Sequence, residues 1–382
     1  MPVSKATFSY LSDHQVTMEK PLRDSEMLVI YWLMRDANLT DAALARRSGM
    51  KESTASSIRR RLMDSRHIYF TNTPAFHKLG CTVFVQLYGS TNPAVPKDVK
   101  DSAHLRFLDR TPEIFDSASG EGFIMMSGVY RNFSDYLLSI DRYERCFSDI
   151  QSSEKADLRA AFFPLEISHV CYTYNFAPAL HRIFGMDAPR PEPNLPLKLD
   201  VHTTELSLVE KRTLVNLVEY PHASDAQLGH LMGRSRQTVT NVRKRLERKG
   251  LYKRVCIIPL VLWNIDLIAY VHLRFKSDID PDVRRELSCG DWINLSWYTL
   301  ERESEAHATY MFKDYRDYLS EMQRMMKPLI DADVLKGDPV ISLVSTAAAK
   351  ELRDGHYGAL LRKILGMADP VAGRPLDRRS DV

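Results

Sequence analysis

Residues 234–244 gather groups suited to reading a polyanion. Arg234, Ser235, Arg236, Gln237, Thr238, Thr240, Asn241, Arg243 and Lys244 share a short segment whose apolar residues, Val239, Val242 and Leu246, recur at helical spacing. Arginine can give two hydrogen bonds to guanine, Gln and Asn two to adenine, while hydroxyls and lysines serve phosphates or bases. A parallel segment carries Ser53, Thr54, Ser56 and Ser57 ahead of Arg59, Arg60 and Arg61, with Ala55, Ile58 and Leu62 as its apolar stripe. It has fewer long polar readers, which predicts affinity more than discrimination. Such faces also suit protein contacts; a protein-binding scaffold would show no salt-dependent affinity for DNA.

The surrounding sequence supplies elements to hold these faces. Leu208 to Tyr220 reads as a helix, which Pro221-His222-Ala223-Ser224 breaks; Ser224 or Asp225 can cap the next, running to Met232. Gly233 permits a sharp turn, Ser235 caps a third helix to about Lys249, and Gly250 stops it. Gly229 is small where the third helix must approach. The first half repeats this with helices over Met27–Asp36, Asp41–Ser48 and Lys51–Asp64, Ala45 as the small residue and Gly49 as the turn. A β-prone segment follows each third helix, Ile68-Tyr69-Phe70 and Leu251 to Val255, suited to a wing. Both units fit a winged helix-turn-helix. Beyond them, Thr82–Tyr88 and Ile268–Phe275 alternate as strands. In the first half a helical stretch, strands around Ile114–Ala118 and Phe123–Val129, a helix from about Asn132 to Phe147 and a last strand near Leu165–Tyr172 complete βαββαβ, a ferredoxin-like order.

Internal repetition organises the whole. Asp41-Ala42-Ala43-Leu44-Ala45 matches Asp225-Ala226-Gln227-Leu228-Gly229, and Arg59-Arg60-Arg61-Leu62 matches Arg243-Lys244-Arg245-Leu246, both at an offset of 184. Tyr130 to Leu137 matches Phe312 to Leu319, and Leu180 to Met186 matches Leu361 to Met367. The expected fold is therefore α+β and duplicated: an extension over 1–23, winged helix-turn-helix units at 24–76 and 203–260, ferredoxin-like domains at 77–186 and 261–370, a Pro-rich linker at 187–202 and a flexible tail at 371–382. The net charge is +3, yet residues 41–70 hold seven basic and three acidic residues (+4) and 225–254 hold nine and two (+7), leaving −8 elsewhere. Two basic islands in an acidic body match two polyanion contacts.

Other chemistries find less support. The five cysteines are scattered without CxxC spacing, which favours reduced buried thiols over disulfides or zinc. His169, His222, His230, His272 and His307 show no metal spacing. No GxxxxGK[ST], HExxH or GxSxG pattern occurs. Asp266, Asp278, Asp280 and the Glu301–Glu305 cluster read as solvated loops. No apolar run reaches membrane-span length and the N-terminus lacks a signal core, so the expected setting is cytoplasmic, with no metal and no cofactor.

Gln237-Thr238-Val239-Thr240-Asn241-Val242-Arg243-Lys244-Arg245-Leu246-Glu247-Arg248-Lys249-Gly250-Leu251 resembles the recognition helix and exit turn of the Lrp/AsnC (feast/famine) transcription regulators, and Ser119-Gly120-Glu121-Gly122-Phe123 resembles their Gly-acidic turn. The resemblance implies double-stranded DNA as partner, sheet domains that pair as a pseudo-dimer or higher homo-oligomer, and an amino-acid-like effector near Gly120, Glu121 and Gly122. The second half carries Glu301-Arg302-Glu303-Ser304-Glu305 at the corresponding place, which speaks against a pocket there. The expectation is a sequence-specific transcription regulator with no catalytic residues and no enzymatic activity. The alternative enzyme is a siroheme decarboxylase, which shares the Lrp-like fold and handles a tetrapyrrole with His and Arg. Ser168-His169-Val170-Cys171-Tyr172-Thr173-Tyr174-Asn175 is its faintest echo, and that reading leaves the basic third helices without a role.

Overall fold

The computed structural model describes residues 22–92, 94–120, 122–148, 157–189, 197–280, 282–283, 296–353, 355 and 357–367. Residues 1–21 of the expected extension, residues 190–196 of the expected linker, Glu121 and the expected tail lie outside them.

Helices α1 (Asp24–Arg35), α2 (Asp41–Ser48) and α3 (Glu52–Asp64) precede strand β1 (Tyr69–Pro74). The same order recurs as α7 (Leu208–Glu219), α8 (Asp225–Met232), α9 (Arg236–Arg248) and β8 (Tyr252–Ile257). Local chemistry sets these boundaries. Ser224 accepts from the Gln227 N–H while Gln227 returns a bond to the Ser224 N–H, and Ser235 accepts from the Thr238 N–H. Gly49 and Gly233 close α2 and α8 at φ of 65° and 63°, conformations that cost a side-chain-bearing residue energy. A Cβ on Gly229 would stand 2.7 Å from the Arg234 carbonyl oxygen, so this glycine permits the α8–α9 approach.

Between the three-helix units run β2 (Val83–Ser90), α4 (Lys97–Arg110), β3 (Ile114–Ser119), β4 (Phe123–Tyr130), α5 (Phe133–Phe147), β5 (Asp157–Pro164), β6 (His169–Thr173), α6 (Ala177–Phe184) and the short β7 (Leu197–Lys198). After β8 come β9 (Leu267–Arg274), β10 (Ser296–Arg302), β11 (Glu305–Phe312), α10 (Tyr315–Asp331), β12 (Val340–Ser345), β13 (Lys350–Arg353) and α11 (Tyr357–Leu365). The fold is mixed α/β.

The sheets are not confined to their own halves. One has the order β13-β3-β4-β2-β5, the other β12-β9-β11-β10-β6-β7, so β6 joins strands of the second half and β13 joins those of the first. The expected last strand near Leu165–Tyr172 is realised only from His169, in β6, which enters the second sheet; the strand that closes the first is β5, ending at Pro164, with a turn between them. β1 and β8 form a separate antiparallel ribbon. Helices α6 and α11 return to pack on α1 and α7, α6 also touching β10. Arg362 of α11 makes a bidentate ion pair with Glu219 of α7, both side chains nearly enclosed. Val83, Val85 and Leu87 point under α4 and α5, while Ala269, Val271, Ala308 and Tyr310 pack with α10. Alternation sends the neighbours of these residues to the opposite sheet faces.

Candidate functional site between the sheets

The opposite faces hold a buried polar layer. On β9 it presents Tyr270 and His272; on β11, Glu305, His307 and Thr309; on β2, Gln86 and Tyr88. The β9–β11 register sets His272 directly opposite His307. Contact crosses from one sheet to the other: the Tyr88 hydroxyl is hydrogen-bonded to His272 Nδ1 at 2.7 Å, and the Tyr88 ring lies 6.4 Å from that of His307. His272 Nε2 meets Glu305 Oε2 at 2.8 Å, and Arg302 Nε donates to Glu305 Oε1 at 2.7 Å.

Electrostatics fixes the roles. Burial raises the Glu305 carboxyl, but the His272 hydrogen bond and the Arg302 charge together overcome it and hold the group below its ordinary value. An ionised Glu305 accepts from His272 Nε2–H, so in the neutral ring Nδ1 accepts from the Tyr88 O–H. His307, 1% exposed, is pushed down to about 3 by burial and then by His272, so its imidazole is neutral. Its Nδ1 is buried with no hydrogen-bond partner among the described residues. The layer thus offers a neutral imidazole free to ligate or to move a proton, beside a Tyr–His–Glu–Arg chain.

A small cleft of about 20 Å³ adjoins this layer, lined by Asp116, Ser127, Tyr174, Tyr270, Tyr298 and Thr309 among others. Burial first, then neighbouring tyrosines and the Asp116 charge, push the Tyr174 hydroxyl well above its ordinary range, so it stays protonated. The Glu301–Glu305 segment is therefore only in part a solvated loop: Glu301 lies in β10 and Glu305 opens β11, both buried, while Glu303 in the turn between them is exposed. Asp266, Asp278 and Asp280 are exposed, as expected.

The helix residues singled out in the sequence fall into two groups. Arg234, Ser235, Arg236, Gln237, Asn241 and Lys244 are exposed, as are Ser53, Thr54, Ser57, Arg60 and Arg61; Thr238 and Ser56 are half-buried. Several are engaged within the chain. Arg243 pairs with Asp225 at 2.8 Å and Thr240 donates to the same carboxylate; Arg59 pairs with Asp41 at 3.2 Å. Arg61 bonds Glu26, and Gln237 donates to Asn241. Gly120 closes the β3–β4 hairpin by donating to the Phe123 carbonyl, and neither it nor Gly122 lines the cleft.

No protein-family model matches the chain, and no curated protein matches it in sequence. Among solved structures, the siroheme decarboxylase NirDL is similar over 90% of this chain and 98% of its own, at 10% identity and a TM-score of 0.47. Its complex with an iron-uroporphyrin III analogue gives 90%, 99%, 10% and 0.49. An AsnC family regulator from Agrobacterium tumefaciens covers 37% of this chain and 90% of its own, at 15% identity and 0.29. An AsnC family member from Pyrococcus furiosus covers 37% and 90%, at 17% and 0.30. The structural neighbours are thus Lrp-like. The expectation that the chain is not an enzyme is corrected here: the matches spanning nine tenths of it are described as decarboxylases.

Proposed function

We propose that the chain is an enzyme of Lrp-like fold that acts on an iron tetrapyrrole bearing carboxylate side chains, at the layer between its two sheets. The observation that carries this reading is the enclosed set of Tyr88, His272, Glu305 and Arg302 with the unpartnered His307 imidazole beside it. Buried titratable groups of this kind are seldom needed to hold two sheets together and concentrate at functional sites. Removing a carboxylate as CO2 breaks one C–C bond, and the carbon left behind takes up one proton. The Tyr88–His272–Glu305 chain runs its hydrogen bonds toward the ionised Glu305 and so fixes the His272 ring and the Tyr88 hydroxyl, while the proton taken up by the carbon comes from solvent. His307, whose protonation burial pushes down to about 3, is neutral near pH 7 and is a nitrogen donor suited to iron. The cleft, at about 20 Å³, holds no more than a water, far below the size of a ligand site, so a macrocycle would have to displace tyrosines at its wall. Incubating the chain anaerobically with siroheme and following CO2 loss by mass spectrometry tests the reading; an unchanged substrate under reducing conditions would remove it.

A second reading, sequence-specific binding of double-stranded DNA, is favoured by the solvated polar face of α9, where Arg236, Gln237, Asn241 and Lys244 are exposed. In this reading two duplicated halves, each a winged helix-turn-helix followed by a ferredoxin-like domain, present α3 and α9 as a pseudo-dimer, and a small effector modulates binding. Ion-pairing of Arg59, Arg61 and Arg243 inside the chain leaves fewer side chains for bases than the sequence promises. Anisotropy of labelled duplexes over a salt series decides it, a flat profile counting against DNA as partner.

A further inference from the structure

The β1–β8 ribbon joins the two three-helix units, with Thr71 opposite Val255. The 184-residue offset of the sequence repeat carries Thr71 onto Val255 and Phe70 onto Arg254, so the ribbon lies where the two halves would exchange. Here two arginines share one aromatic ring and a third, Arg243, acts on Arg254 through its charge. The Arg254 guanidinium lies 4.7 Å from the centroid of the Phe70 ring, and that of Arg59, from α3, lies 5.3 Å from the same centroid. Burial first, then the charges of Arg59 and of Arg243 from α9, depress the ionisation of Arg254. His222 is lowered by burial and by Arg254 as well.

The carboxylates at hand are already used. Asp41 pairs with Arg59, and Asp225 pairs with Arg243 while accepting from Thr240. The Arg254 side chain has no hydrogen bond or ion pair among the described residues, and the Nε atoms of Arg243 and Arg254 are both buried without an acceptor. Gathered guanidinium groups with unused buried donors are costly unless an anion joins them. Their planar forks match the oxygens of phosphate.

We propose that Arg254, flanked by Arg59 and Arg243, is a binding site for a phosphate group at the junction of the two three-helix units. The site goes beyond the inter-sheet reading and does not depend on it. A DNA backbone and free phosphate are the two sources of the same chemistry. Arg59 and Arg243 belong to the helices that carry the exposed polar faces, which links the site to the second reading without requiring it.

The test uses the full chain, Arg254→Gln and Arg254→Lys, with Arg254→Met, whose stem still covers Phe70, in reserve should Gln not fold. One arm follows duplex binding across a NaCl series; the other follows melting temperature in inorganic phosphate at matched ionic strength. A slope of log affinity against log salt that falls by about one in Arg254→Gln and recovers in Arg254→Lys identifies the backbone phosphate. A phosphate-induced rise in melting temperature present in the wild type and Lys variant but absent from the Gln variant identifies the free anion. Equal behaviour of all variants in both arms overturns the site, whether or not the chain binds DNA elsewhere. A wild type that binds no duplex removes the second functional reading and leaves the phosphate arm to decide this one.

Discussion

His307 and His272 sit opposite each other on adjacent strands yet have different work. His272 is spoken for at both ring nitrogens, by Tyr88 and by Glu305, whereas His307 keeps a buried nitrogen without a partner among the described residues. Replacing an unsatisfied polar ring by an apolar one of similar shape removes a desolvation cost. His307→Phe is therefore expected to hold or raise thermal stability, by up to about 1–3 kcal/mol, while abolishing tetrapyrrole binding. A lowered melting temperature with ligand binding intact would make His307 a packing residue. These histidines look scattered along the chain because register alone unites them: His272 and Glu305 are 33 positions apart and become neighbours through β9–β11 pairing. The sequence signal was the alternation Glu305, His307, Thr309 on a segment that also alternates apolar residues, which marks one strand face rather than a loop.

Helix boundaries were the most legible elements. Ser224, Ser235, Gly49 and Gly233 act through their own side chain or backbone within a turn, so their effect is local and readable. Gly229→Ala is expected to destabilise the fold by about 1–3 kcal/mol because the added carbon meets the Arg234 carbonyl. Denaturant unfolding that leaves the midpoint unchanged would show that α8 and α9 separate freely. Exchange of β6 and β13 between sheets was not legible, since alternation fixes which face a strand buries and not which sheet it joins. The α11–α7 contact was equally hidden, its ion pair joining residues 143 positions apart. Arg362→Met is expected to cost about 3–5 kcal/mol by leaving Glu219 buried and unpaired, read from the unfolding midpoint. A loss below 1 kcal/mol would mean that Glu219 reaches water.

At the scale of the molecule, buried His104 and His307 and half-buried His77 bias the fold against acid. His104 and His77 are each lowered to about 4, first by burial, and His307 to about 3. The unfolded chain binds these protons near pH 6.5 and the folded chain does not. Stability is therefore complete above that pH and declines as pH falls toward 4, by an amount of the order of a few kcal/mol per group. His104, 4.5 Å from the Phe147 ring, offers a clean check. His104→Leu should flatten the loss of melting temperature between pH 6.5 and 4.5, and an unaltered profile would assign the acid sensitivity elsewhere. No helix among the described residues is long and apolar enough to cross a membrane.

The claim on which the rest depends is that the buried layer between the sheets receives an iron tetrapyrrole. Optical titration of the full chain with iron uroporphyrin III, beside His307→Phe and Lys244→Ala, tests it most directly. The account predicts a saturable Soret shift in the wild type and in Lys244→Ala, lost in His307→Phe. A spectrum that never departs from that of the free macrocycle, or a shift that persists without His307, would contradict it.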